Sequence, residues 1–281
     1  MHLNQAPLGL LVFIYVMLSS CGGSSVRDSA PSGSVSIPDL PGDAVPRPEP
    51  RSRYGNGPVY EVLGKRYKVM PSGSGYEERG VASWYGKKFH GRLTSNRETY
   101  NMYSMTAAHK TLPLPTYVQV RNLRNNKSIV VRVNDRGPFV HNRIIDLSYA
   151  AALKLDMVGD GTSLVEVTAI TFDDPPGDRP VRKVSPPSPP APDPAPQKPE
   201  PQKSIEIFVQ VGAFGDRANA ERRQAALQSG GIGSSFIFAD EAANPPIYRV
   251  RIGPVAGVED YDALVDKLET LGISDPYLVT L

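Results

Sequence analysis

The chain has little cysteine, little excess charge of either sign and no long apolar run, and each of these facts excludes a class of protein. Among 281 residues there is one cysteine, Cys21, so no disulfide framework can form within the chain. The 31 Lys and Arg residues nearly balance the 29 Asp and Glu residues, which leaves no electrostatic case for binding nucleic acid or an anionic bilayer surface. The longest uncharged apolar run, residues 8–18, is too short for a stable membrane span.

The single cysteine follows that apolar run. The sequence LSSC at 18–21 resembles the lipobox of bacterial lipoproteins, in which the cysteine is lipidated and the preceding segment is removed. The resemblance implies that residues 1–20 are a signal peptide and that Cys21 carries a lipid anchor. Gly22 stands where inner-membrane lipoproteins carry Asp, which implies sorting to the outer membrane. The lack of Lys and Arg before the run departs from the usual pattern, and a plain signal peptide with an incidental cysteine is the alternative.

The 28 prolines are unevenly placed and divide the chain. Residues 21–53 are rich in Ser, Gly, Pro and Asp without apolar periodicity, which predicts a flexible tether. Residues 173–203 are dense in proline, which favours extended polyproline II and predicts a semi-rigid linker, with a polyproline ligand as the alternative. Two folded units, residues 54–172 and 204–281, are therefore expected.

The first unit reads as a small barrel of short strands. Alternating and β-branched residues predict strands, and Ser148 is placed to cap a short helix. Many short strands with one short helix indicate a closed β-barrel. The predicted strands are 80–85, 117–120, 129–133 and 164–170, and the helix body is 149–153.

The second unit has the element order β-α-β-β-α-β, which is a ferredoxin-like plan. Two helices can cover only one face of the sheet, so the other face is expected to be an exposed binding surface. The predicted strands are 205–211, 235–238, 247–252 and 277–280, and the helices are 217–228 and 258–271.

Three ordered blocks in the first unit carry a family resemblance. They are GVASWYGKKFHGRLTSNRETYNM (80–102), MTAAHKTLPLPTYVQVRNL (105–123) and VVRVNDRGPFVHNRIIDLS (130–148). Together they resemble the rare lipoprotein A family, whose core is a double-psi β-barrel shared with expansins and some glycan-cleaving enzymes. Some members are lytic transglycosylases, which leave a 1,6-anhydro product. The resemblance implies an enzyme without a cofactor.

By the same resemblance, Glu98, His109 and Asp135 occupy the family's functional positions. Breaking a glycosidic bond needs a proton for the leaving oxygen, and a carboxyl group of raised pKa can supply it. We assign this acid role to Asp135, which follows a strand. Glu98 is expected either to raise the pKa of Asp135 or to take the proton of the attacking hydroxyl, and His109 to orient a carboxylate or bind the sugar. The alternatives are a turn ion pair at Asp135 and Arg136, a solvated Glu98 and a structural His109.

Three neighbours are assigned to substrate binding. Trp84 and Tyr85 offer flat rings for sugars, with core packing as the alternative for Trp84, and Arg136 adjoins the proposed acid. His90, His141 and Asp146 lie nearby in sequence but share no metal-ligand spacing, so no metal is expected.

One position departs from the family pattern. Arg97 stands between Asn96 and Glu98, where the family has glycine. Arginine tolerates positive φ poorly, and its charge is expected to lower the pKa of Glu98. A displaced Glu98 or weakened activity is therefore expected.

The second unit resembles the sporulation-related repeat (SPOR) domain through FVQVGAF (208–214) and YRVRIGP (248–254). Such domains bind septal glycan strands that lack stem peptides. Strand alternation points Gln210, Arg249 and Arg251 to solvent, and these residues with Phe214 are the predicted binding set.

The sequence thus predicts a periplasmic lytic transglycosylase that is anchored to the outer membrane and cuts peptide-free peptidoglycan strands at the division septum. Its partners would be the glycan, the membrane through its lipid and, as an open question, division proteins, but no nucleic acid. A non-catalytic, expansin-like glycan-binding protein is the main alternative, and a lipoprotein that only recruits division partners is a third.

Overall fold

The structure is a computed structural model that describes residues 29–31, 40–140, 142–172, 205–273 and 276–280. The predicted signal peptide, Cys21 and nearly all of the proline-rich linker lie outside the described residues. Within them, no helix has the length and apolar character needed to cross a membrane.

The described chain contains twelve strands and three helices. The elements of the first unit are β1 (Val59–Val62), β2 (Lys65–Lys68), β3 (Glu77–Tyr85), β4 (Thr106–His109), β5 (Thr116–Asn122), β6 (Ser128–Asp135), β7 (Arg143–Ser148), α1 (Tyr149–Lys154) and β8 (Thr162–Ile170). Those of the second unit are β9 (Ile207–Phe214), α2 (Arg217–Ser229), β10 (Ser235–Asp240), β11 (Ile247–Ile252), α3 (Val258–Thr270) and β12 (Tyr277–Thr280).

The first unit is a closed six-stranded barrel in the order β3-β7-β4-β6-β5-β8, which confirms the double-psi β-barrel expectation. The pairs β3–β7 and β4–β6 are parallel and the others antiparallel. Val118, Val131 and Val133 fill the interior because alternate residues of each strand point inward. Each of the four predicted strands lies within an observed one, whereas β4 and β7 were missed, as was the β1–β2 hairpin.

The predicted helix cap is present. The Ser148 hydroxyl accepts a hydrogen bond from the Ala151 backbone, which satisfies one of the free N–H groups at the start of α1. Ala150, Ala151 and Ala152 are fully buried, so this short helix packs directly on the barrel.

The predicted tether is shorter than expected, because residues 40–53, here called the N-terminal arm, pack along the barrel. The Ala44 N–H donates to the Val130 carbonyl at 3.0 Å, and the Ser52 N–H donates to the Leu114 carbonyl at 2.8 Å. Glu49 forms an ion pair with Arg132 at 2.8 Å. The prediction of a free tether is therefore wrong for this segment.

The second unit is an antiparallel sheet in the order β10-β11-β9-β12, with the predicted β-α-β-β-α-β order. Asp216 caps α2 as expected, because its carboxylate accepts from the Ala218 and Asn219 N–H groups. Val209, Val250 and Leu268 are buried in the core between the sheet and its two helices.

Candidate active site

Four neighbouring strands of the barrel bring polar residues into one row. Asp135 on β6 pairs with Ala108 on β4, Ala108 pairs with Asp146 on β7, and Asp146 pairs with Ser83 on β3. Directly paired residues share a face of the sheet. Their chain neighbours Ala82, Ala107 and Leu147 belong to the interior core, so this row, here called the carboxyl row, lies on the outer face.

A β-bulge aims Asp135 onto that face. Ala107 pairs with Val133 and Ala108 with Asp135, so Asn134 is an extra residue in β6. The extra residue breaks the simple alternation of β6, which turns both Asn134 and Asp135 towards the loop that carries Ser95 and Glu98.

Asp135 is partly exposed and held firmly. One carboxylate oxygen, Oδ1, accepts from the Ser95 N–H at 2.8 Å, the Ser95 hydroxyl at 2.6 Å and the Arg136 N–H at 2.7 Å. Three converging donors fix the orientation of this carboxylate. The acid role assigned to Asp135 from the sequence stays a prediction.

Glu98 is held by neighbours on β6 and in its own loop. Its carboxylate receives Arg132 Nη1 at 2.8 Å, Asn134 Nδ2 at 2.8 Å and Asn96 Nδ2 at 2.8 Å. Burial alone would raise its pKa, but the hydrogen bonds from Asn134, Arg132 and Asn96 lower the pKa below its usual value. Glu98 is thus an ordered, ionised group and not merely a solvated one.

Arg97 has the backbone conformation that the family resemblance implies for this position. Its φ is 73°, in the left-handed region that favours glycine. Its guanidinium lies 5.4 Å from the ring centroid of Tyr54 and not on Glu98. Arg97 therefore does not displace Glu98, although displacement was expected. The lowered pKa of Glu98 is due mainly to Asn134, Arg132 and Asn96 and not to Arg97.

His109 is buried on the opposite face from Ala108, the neighbour that lies in the carboxyl row. Its Nδ1 accepts from the N–H groups of Thr111 at 3.2 Å and Leu112 at 3.0 Å, so Nε2 carries the proton and donates to the Tyr76 hydroxyl at 2.7 Å. Burial, and then the charges of Arg136 and Lys110, lower the pKa of His109 to about 3. The ring is neutral, and the structure does not bring it to Asp135 or Glu98.

The predicted aromatic platforms are packed against other rings. Tyr85 stacks on Tyr100 with centroids 4.1 Å apart and is 8% exposed. Trp84 lies edge-on to Tyr149 at 5.6 Å and packs against the barrel core. Tyr85 offers no free face to a sugar, so its stacking prediction is corrected to core packing, whereas Trp84 packs on the core but stays partly exposed.

The guanidinium of Arg136 is hydrogen-bonded to other groups of the protein. Its Nε donates to the Gly55 carbonyl at 2.8 Å, and Nη1 donates to the carbonyls of His109 at 3.1 Å and Leu112 at 2.5 Å. Nη2 reaches Asn56 Oδ1 at 3.2 Å. Arg136 braces the segment before β1 against the end of β4, and it forms no side-chain ion pair with Asp135 among these contacts.

Sequence reasoning considered Asp146 only as a metal ligand and set it aside. Its carboxyl lies largely buried in the row and accepts a hydrogen bond from the Ser83 hydroxyl. Burial raises the pKa of Asp146, the charge of Asp135 adds to the increase, and Ser83 and Lys110 oppose it. A polar residue directly after Ile144 and Ile145 in a strand was the available signal.

The open face of the second unit also carries a row of side chains, and this row crosses all four strands of the sheet. Phe236 pairs with Arg251, Arg251 with Gln210, and Gln210 with Tyr277. Arg251 Nε donates to Gln210 Oε1 at 3.2 Å, and Gln210 Nε2 donates to the Tyr277 hydroxyl. We call these four residues and the neighbouring Phe238 and Arg249 the sheet-face row.

Two predictions about this face need correction. Gln210 and Arg251 are 1% and 7% exposed, whereas solvent-exposed side chains were predicted. They are buried because they bond to each other and because the Arg251 guanidinium lies 4.3 Å from the ring centroid of Phe238. Phe214 is turned to the helix side, because a bulge at β9 pairs Phe214 with Tyr248 and seats its ring beside α2. The exposed rings on the open face are Phe238 and Tyr277, which sequence reasoning missed.

A closed mixed barrel with a carboxyl row, followed by a ferredoxin-like sheet, defines a two-module protein of the lytic-transglycolase and SPOR class. Residues 77–167 match the lytic transglycolase family, and residues 204–280 match the SPOR domain. The endolytic peptidoglycan transglycosylase RlpA of Vibrio cholerae is 39% identical over 277 residues, which cover 97% of this chain and 96% of the relative. The RlpA of Pseudomonas aeruginosa is 38% identical over 294 residues, covering 90% of this chain and 84% of the relative.

Among solved structures, the SPOR domain of Pseudomonas aeruginosa RlpA is 27% identical and covers 26% of this chain and 96% of that chain, with a TM-score of 0.25. The chain belongs to the RlpA family of endolytic peptidoglycan transglycosylases.

Proposed function

We propose that the barrel cuts peptidoglycan glycan strands as an endolytic lytic transglycosylase. The observation that carries the proposal is Asp135, a partly exposed carboxylate fixed by three hydrogen bonds on a rigid strand end. A catalytic group must be held close to its productive geometry, and strand ends of a closed barrel do this better than loops. Family membership supports the same reaction class.

The reaction needs no water at the bond that breaks. In a lytic transglycosylase the C6 hydroxyl of N-acetylmuramic acid attacks its own anomeric carbon, which gives a 1,6-anhydro sugar. The site must accept one proton from that hydroxyl and give one to the leaving oxygen, so it needs two proton-transfer roles but no ordered nucleophilic water. Glu98, fixed beside Asn134, places a further negative charge near the oxocarbenium-like transition state.

The second unit is the proposed glycan-binding module. Its sheet-face row combines exposed rings with polar groups that match sugar hydroxyls and acetamido carbonyls. Arg251 Nη1 is buried without a hydrogen-bond partner among the described residues, and a buried donor left free is a group that a ligand can satisfy. We propose that this face binds glycan strands without stem peptides and so concentrates the chain at the septum.

Attachment is proposed through Cys21, whose lipid would hold the protein at the outer membrane. The linker would then raise the effective concentration of the barrel near glycan already bound by the second unit. Division proteins are proposed only as partners that act through the same septal location. A Cys21→Ser variant should lose its lipid mass and its place in the membrane fraction, and unchanged fractionation would contradict the anchor.

Purified sacculi, with and without amidase treatment, test the function. The protein without residues 1–21 is incubated with each, and the soluble products are identified by mass spectrometry. We expect 1,6-anhydro products, and more of them from amidase-treated sacculi. Reducing-end products would make the protein a hydrolase. Binding without any product would favour the non-catalytic, expansin-like alternative.

A further inference from the structure

Two carboxyl groups of the barrel flank one small residue. Asp135 and Asp146 pair with the same Ala108 from opposite sides. With neighbouring strands about 4.8 Å apart, their backbones are separated by about 9–10 Å. Ala108 presents only a methyl group there, and Gly137 presents none above Asp146.

The two carboxyl groups have opposite surroundings. Asp135 Oδ1 is surrounded by three donors, two of them backbone N–H groups. Asp146 receives one hydroxyl, from Ser83, and is otherwise largely buried. Pairs of carboxyl groups in contrasting environments are the usual arrangement for an acid and a base that work at one pH.

We propose that Asp146 is a second catalytic carboxyl group, which donates the proton to the leaving glycosidic oxygen while Asp135 accepts the proton of the attacking hydroxyl. This assignment rests on the transglycosylase function proposed above and divides its two proton-transfer roles. It replaces the sequence-based assignment of Asp135 as the acid.

The step balances within the site. The bond from the anomeric carbon to the leaving oxygen breaks, and that oxygen takes the Asp146 proton to become a hydroxyl. The C6 oxygen bonds to the anomeric carbon and gives its proton to Asp135. Turnover then needs only the return of one proton from Asp135 to Asp146 through solvent.

The charged groups around Asp146 act in both directions. Burial raises its pKa, and Asp135 on β6 does the same. Lys110, which follows β4, and Arg143 on β7 lower it. Lys110 donates to the Arg143 carbonyl, and Arg143 pairs with Asp262, so neither cation forms an ion pair with Asp146 among the described residues.

The first test is Asp146→Asn, which keeps the shape and removes the transferable proton. Release of anhydro products should fall by about 10²–10⁴-fold. Thermal stability should be unchanged or higher, because a neutral amide avoids the cost of burying a charge. Asp160→Asn, a surface change far from the row, is the matched control and should retain full activity. Activity retained by Asp146→Asn would overturn the assignment.

The second test separates the acid from the base and from a merely structural role. A muramoyl glycoside with an aryl leaving group departs without protonation, so Asp146→Asn should regain turnover on it while Asp135→Asn should not. The decline of wild-type turnover at rising pH should also disappear in the residual activity of Asp146→Asn. Rescue of Asp135→Asn alone, or of neither variant, would contradict the proposal.

The outcomes distinguish this inference from the proposed function. If the wild type makes no anhydro product, the function fails and the role of Asp146 fails with it. If the wild type makes that product and Asp146→Asn makes as much, only the role of Asp146 is wrong. Should Asp146→Asn fail to fold, the wild-type pH profile and Asp146→Glu decide, since a longer acid should keep measurable activity on natural strands.

Discussion

The carboxyl row of the barrel and the sheet-face row of the second unit both cross four strands, yet they are built differently. In the barrel, backbone N–H groups and a β-bulge fix Asp135, and its carboxylate bonds to no other side chain of the row. In the second unit, Arg251, Gln210 and Tyr277 bond to one another and are bordered by exposed rings. The first arrangement fixes one carboxyl group in place, which suits the proposed catalysis, and the second spreads hydrogen-bonding groups along a surface, which suits the proposed binding of a polymer.

The largest expected effect is at Asp135 in the carboxyl row. Asp135→Asn should reduce release of anhydro products by about 10²–10⁴-fold, because the amide cannot accept the proton. The product assay on amidase-treated sacculi measures it, and binding to the same sacculi should be unchanged. A simultaneous loss of binding would mean that the two rows do not have separate roles.

A smaller effect is expected on the sheet face. Arg251→Ala removes charge-assisted hydrogen bonds, each contributing about 1.5–3 kcal/mol, so affinity for peptide-free glycan should fall about 10–100-fold. Sedimentation with amidase-treated sacculi measures this, and circular dichroism checks the fold. Arg217→Ala, at an exposed position on α2, is the control. Equal binding by both variants would remove this face from the proposed function.

The N-terminal arm was predicted to be a tether but packs on the barrel, and its ion pair between Glu49 and Arg132 can be weakened by mutation. Glu49→Gln loses the charge that meets Arg132, whose other side holds Glu98 at 2.8 Å. We expect the free energy of unfolding to fall by about 1.5 kcal/mol. Urea titration of the variant and the wild type measures this loss. Glu61→Gln, on the exposed hairpin, is the control, and equal stability of the two variants would show that the arm is only loosely held.

Acid should weaken the same contacts. The pKa of Glu49 and that of Glu98 are lowered in the fold, so their stabilisation is complete above the unfolded-state pKa and is lost as pH falls through the folded values. Asp146 has the opposite sign, because its pKa is raised and its burial becomes less costly as pH falls. Melting temperatures of the wild type and of Arg132→Met across the acidic range should therefore converge; parallel curves would contradict this.

The smallest effect is expected at Arg97. Arg97→Gly relieves a left-handed residue, which costs about 1–2 kcal/mol, but loses the contact with Tyr54. Stability should change little and activity should stay close to that of the wild type, because Glu98 is already held by Arg132 and Asn134. A large rise in activity would show that Arg97 does disturb the loop that carries Ser95 and Glu98. Arg92→Gly, in the same loop, controls for loss of charge.

Local patterns predicted most of the elements, because strand alternation and helix caps act over a few residues. Ser148 and Asp216 cap their helices as expected. β4 was missed because its four residues are too short to show a period. Trp84 and Tyr85 were misplaced because aromatic residues are equally suited to a core and a sugar platform, and only their contacts with Tyr149 and Tyr100 decide between them.

By itself, the sequence determined the two-unit organisation, the barrel and the ferredoxin-like sheet, and it identified Glu98 and Asp135 as functional candidates. The tertiary structure alone decided which side chains meet. Bulges in β6 and β9 change the face on which Asp135 and Phe214 lie, and a shift of one residue cannot be read from alternation. Asp146 joins Asp135 only because β4 lies between β6 and β7 in the closed barrel, an arrangement that depends on long-range strand pairing rather than on any local pattern.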